Sequence, residues 1–92
     1  MDHPLSEQGV TQTLRRIVDG IREGRLDTAE SDLRLLDFGR LRTAEWEQSN
    51  ADKDRVQQTG AHLDACEKAL AYGHVAKALQ KAEAALERWL RR

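Results

Sequence analysis

Most markers of specialised chemistry are scarce in this chain, and each scarcity excludes something. There is one cysteine, Cys66, so no intrachain disulfide can form. There is one proline, Pro4, outside every periodic stretch, so no proline breaks a helix, which agrees with an all-α fold. Aromatic residues number four (two Trp, one Tyr, one Phe), too few for a strand-rich core. Charge of one sign is also lacking: 15 Lys and Arg face 16 Asp and Glu. That balance offers no general footprint for nucleic acid or for an anionic membrane surface. No apolar run approaches the ~20 residues that a membrane helix needs. The start, Met1-Asp2-His3-Pro4-Leu5, has no basic segment followed by an apolar one, so a cytoplasmic location is expected.

What is abundant is leucine and alanine, twelve of each in 92 residues. Both are strong helix formers. The length suits one domain with a modest core. The expected fold is all-α: four antiparallel helices arranged as two helical hairpins, with a longer polar central hairpin. Residues 1–10 are expected to fray, with Ser6 or Thr11 capping the first helix. Leu14, Ile17, Val18 and Ile21 recur at helical spacing up to Gly24, a natural stop because glycine enters the left-handed region freely. The second helix is expected from Asp27, which with Glu30 resembles a capping box, and through Gly39 to Gln48; the alternative is a break at Gly39, which makes the polar stretch beyond it a loop or a fifth short helix. At 1.5 Å per residue the unbroken helix would be about 33 Å long. The third helix is expected over residues 50–72, with Ser49 or Asn50 as cap, and the fourth over residues 74–91. The middle helices would then extend past the outer pair as a polar arm over residues 40–58.

A shift of 49 residues superposes much of one half on the other. Leu14 falls on Leu63, Ile17 on Cys66, Gly20 on Ala69, Ile21 on Leu70 and Gly24 on Gly73. Beyond the turn, Leu26 falls on Val75, Ala29 on Ala78, Leu33 on Ala82 and Leu36 on Ala85. The match fails at Val18 against Glu67 and at Asp37 against Leu86. Within the second unit, Gly73 at the turn and the pairs Ala78-Leu79 and Ala85-Leu86 resemble the helical hairpin of a tetratricopeptide repeat, over residues 63–88. That resemblance implies a scaffold that binds peptides or protein helices.

Candidate chemistry is thin. His62 and Cys66 share a helix face at i,i+4 and could give two metal ligands, but a buried core cysteine beside a histidine explains them as well. The carboxylates, among them Glu45, Glu47, Asp52, Asp54, Glu83 and Glu87, sit on polar helix faces beside Lys or Arg. No Ser/His/Asp set or glycine-rich phosphate loop accompanies them, so no enzyme, cofactor or metal is expected. Arg34, Arg40 and Arg42 could contact phosphates, diluted by Asp32, Asp37 and Glu45. The expected function is therefore a protein-interaction module, binding a protein partner or forming a homo-oligomer. Its candidate contacts are Trp46, a lone aromatic in a polar stretch, with Leu41 and Val56, then Trp89 and the off-stripe alanines Ala76 and Ala84; packing of Trp46 on Val56 and Leu41 across a hairpin, and the plain helix preference of alanine, explain these residues as well. A nucleic-acid-associated regulator using the three arginines is the second reading, and a His62–Cys66 metal domain the third. For Trp89 the sequence also allows a simpler role, closing the core near the C-terminus.

Overall fold

The computed structural model describes residues 7–36 and 50–91. Four helices make up the fold among the described residues: α1 (Glu7–Arg22), α2 (Leu26–Leu35), α3 (Asn50–Ala71) and α4 (Val75–Leu90). They pair as two hairpins, α1 with α2 and α3 with α4. The hairpins meet chiefly through α1 and α4, and only lightly through α2 and α3. One core cluster runs through all four helices, from Val10, Leu14 and Ile17 to Leu63, Cys66 and Trp89.

Both turns use the same device. Gly24 and Gly73 have φ of 82° and 77°, in the left-handed region where any other residue is strained. At the first turn, the Gly24 N–H donates to the Ile21 carbonyl (3.2 Å) and the Arg25 N–H to the Gly20 carbonyl (2.7 Å). At the second, the Gly73 N–H donates to Leu70 (3.1 Å) and the His74 N–H to Ala69 (2.8 Å). This is the Schellman pattern, which satisfies the last carbonyls of the incoming helix. The carbonyls of Arg25 and His74 then accept from Ala29 and Ala78, starting the outgoing helices. The 49-residue offset thus extends from sequence to backbone geometry. The matched core positions Leu14, Ile17, Ala29, Leu33 and Leu36, and Leu63, Cys66, Ala78, Ala82 and Ala85, are buried in both hairpins.

Helix boundaries differ from expectation in instructive ways. The first helix begins at Glu7, so residues 7–10 are helical rather than frayed, and Val10 is fully buried. Val10 extends the Leu14–Ile17 stripe by one turn, an addition hidden by its polar neighbours. Thr11 is consequently inside the helix rather than at its cap; Ser6 lies outside the described residues. The second helix starts at Leu26, with Arg25 as cap residue and no side-chain capping bond, so Asp27 and Glu30 do not form a capping box. The Schellman turn has already supplied the entry geometry. That helix ends at Leu35, after 10 residues, with Leu36 as its cap. It is therefore much shorter than a span to Gln48; Gly39 itself lies outside the described residues, as does the turn around Ser49. The third helix does start at Asn50 and is the longest, at 22 residues.

The polar arm is also revised where it can be seen. Arg55 and Val56 are 4% and 1% exposed, and Thr59 is fully buried. From Arg55 onward α3 packs against the C-terminal end of α4 instead of standing free of the core. Trp89 explains this. Its ring is buried, with the Arg55 guanidinium 3.9 Å above its centroid. Its indole Nε1–H donates to Thr11 Oγ1 at 3.0 Å, and its carbonyl accepts from Arg55 Nη1 at 3.4 Å. One aromatic side chain thereby ties α1, α3 and α4 together.

Candidate functional site

Two polar side chains inside the fold have local partners. Thr13 is buried and returns its hydroxyl proton to the Gly9 carbonyl at 2.8 Å. Asp32, 6% exposed, lies 3.5 Å from Arg16, whose side chain is mostly in solvent. Cys66 is fully buried, and desolvation, helped by the neighbouring Glu67 charge, pushes its thiol up to about 11. Such a thiol stays protonated at neutral pH and is a poor ligand or nucleophile. Cys66 belongs to the core cluster, with His62 half-buried beside it on α3. Among the described residues no group of three or more His, Cys, Asp and Glu converges on one point.

The sequence candidates are scattered. Leu41 and Trp46 lie outside the described residues, and so do Arg40 and Arg42. Arg34 is exposed in the last turn of α2. Val56 and Trp89 are core residues at 1% exposure, so neither can face a partner; for Trp89 the core-closing role is the one realised. Ala76 is exposed and Ala84 half-buried on α4.

What the structure does assemble is a groove along the seam between α1 and α4, with a volume of about 490 Å³. Val18 on α1 and Leu86 and Leu90 on α4 give it an apolar floor. Val18 is 5% exposed, Leu86 is half-buried, and Leu90 is 50% exposed. Arg15, Asp19 and Arg22 form the α1 rim, and Glu83 and Glu87 the α4 rim. Arg22 spans the groove at one end, donating to Glu83 Oε2 at 3.1 Å. It also lies 4.0 Å from Asp19. Arg15 and Glu87 have no ion-pair partner among the described residues.

Val18 and Leu86 are the apolar members of the two positions where the 49-residue match fails. Their counterparts are charged: Glu67, exposed on α3, and Asp37. The signal for the groove was therefore present in the sequence, as the residues that break the internal pattern. Each hairpin carries one extra apolar side chain, and the two meet at the seam. Sealing the hairpins together accounts for Val18; it does not account for Leu90, which remains half in solvent.

No helix among the described residues is long and apolar enough to cross a membrane. No protein-family model matches the chain, and neither a curated protein nor a solved structure matches it at a significant level.

Proposed function

We propose that the chain is a protein-interaction module whose contact surface is the α1/α4 groove and whose ligand is a protein helix. The observation that carries this reading is the exposure of Leu90 beside Leu86, on an apolar floor between a mainly basic rim and an acidic one. An amphipathic helix recognises such a groove by laying its apolar face on the floor and its charges along the rims. The floor lies on two helices that the Trp89–Thr11 hydrogen bond joins to each other. The tetratricopeptide-like character of residues 63–88 points to the same class of ligand. Leu41 and Trp46 belong to the proposal as further contacts read from the sequence.

The test is capture of partners from the native host by the wild-type chain, by Leu90→Glu, and by Asp64→Lys as a control at an exposed α3 position outside the groove. Leu90→Glu is expected to abolish capture and Asp64→Lys to preserve it, with thermal melts of all three alike. Equal capture by all three would refute the groove as the contact surface.

A further inference from the structure

We infer that the α1/α4 face packs on the same face of a second copy of this chain, groove against groove, in a two-fold dimer whose axis runs along the seam between α1 and α4. The inference rests on the reading of the groove as a contact surface and adds the identity of the occupant.

The charge pattern makes the face self-complementary. One rim belongs to α1 and carries Arg15 and Arg22 with Asp19 between them; the other belongs to α4 and carries Glu83 and Glu87. A two-fold axis parallel to the helices places α1 of each copy over α4 of the other. The mainly basic rim then meets the acidic rim twice, once on each side of the axis. Heights along the axis also agree. Thr11 on α1 is level with Trp89 on α4, and Arg22 reaches Glu83, so the two helices run antiparallel. Arg15 therefore lies near the height of Glu87, and the same axis brings Arg15 of one copy towards Glu87 of the other. These are the two rim charges without an ion-pair partner among the described residues. Asp19 is the one repulsive element on this rim and lies 4.0 Å from its own Arg22. Leu86 and Leu90 of one copy meet Leu86 and Leu90 of the other near the axis, covering the exposed half of Leu90.

The size of the face sets the strength. α4 has 16 residues and is thus about 24 Å long, and two packed helices present a face roughly 20 Å wide. That is on the order of 500 Å² per copy and about 1,000 Å² in all, at the low end for specific interfaces. A face of this size suits a weak, concentration-dependent dimer.

Sedimentation equilibrium of the pure full chain, from about 5 μM to about 1 mM, tests this by mass action. The wild type is expected to pass from monomer to dimer across that range. Arg15→Glu and Glu87→Arg each place two like-charge pairs in the interface and are expected to weaken self-association roughly tenfold or more. An equimolar mixture of the two variants is expected to recover wild-type association, because a mixed dimer again sets opposite charges against each other at both contacts. Recovery on mixing also excludes a defect within one chain, since each variant alone keeps its own repulsion. A wild type that stays monomeric throughout, or variants that associate like wild type, or a mixture without recovery, would overturn the inference. Monomeric wild type together with groove-dependent capture of a different protein would overturn the dimer and leave the interaction module standing with another occupant.

Discussion

Trp89→Phe probes the joint on which the fold depends. Trp89 is 1% exposed and touches three helices. Phenylalanine keeps most of the apolar bulk and loses three things. The indole N–H bond to Thr11 Oγ1 contributes about 1 kcal/mol. The Arg55 contact is desolvated and Trp is the best cation–π acceptor, so exchanging it for Phe costs about 0.5–1 kcal/mol. The space left by the smaller ring adds about 1 kcal/mol. The total is about 2.5–3 kcal/mol, against a stability of roughly 5–14 kcal/mol for a chain of this length. The assay is urea unfolding followed by helical circular dichroism, with Thr11→Val and the double variant completing a cycle. The Trp89–Thr11 coupling should come out near 1 kcal/mol, as for one partly buried hydrogen bond. A loss below about 1 kcal/mol for Trp89→Phe, or zero coupling to Thr11, would refute this description of the joint.

Three further outcomes follow from the hairpins and the core. Gly24→Ala and Gly73→Ala should each destabilise by about 1–2 kcal/mol and by nearly equal amounts, because both positions have left-handed φ and open space for a Cβ; chemical denaturation of the pair checks this, and costs differing several-fold would show that the two turns are not equivalent. Gly20→Ala should be neutral or stabilising by up to about 1 kcal/mol, since its Cβ would meet the Arg25 carbonyl at 3.4 Å and Ala29 at 3.7 Å, ordinary contacts, and helix propensity favours alanine; a loss of stability would mean that α1 and α2 cannot yield there. Cys66 should resist thiol reagents in the native state and react on unfolding. Its folded pKa, raised from 9.0 to about 11, also makes stability fall as pH rises from 9 to 11, because the unfolded thiol ionises first. Cys66→Ala should remove that part of the pH slope, and an unchanged slope would place its origin elsewhere.

The residues readable in advance were those whose role leaves a local trace. Gly24 and Gly73 sit between periodic segments, and only glycine enters their conformation cheaply. The stripes Leu14–Ile17–Ile21 and Ala78–Ala82–Ala85 repeat at helical spacing and are buried. Arg55, Thr59 and Asp32 leave no such trace. Burial of a polar side chain is set by what packs over it, as the Trp89 ring packs over Arg55, and hydropathy alone places such residues in solvent. The end of α2 at Leu35 leaves no trace in propensity, which is a weak guide to where a helix stops. The groove lay between the two kinds. The apolar width of α4 was visible, but not that α1 would cover Leu86 partly and leave Leu90 half open.

The most direct test of the α1/α4 groove as a protein contact surface is photo-crosslinking in the native host, with a light-activated residue in place of Leu90 and, separately, in place of Asp64. A discrete protein adduct at position 90 and none at position 64 is the expected result, whether the adduct is a second copy or another protein. Adducts of equal yield at both positions, or none at position 90, would contradict the account.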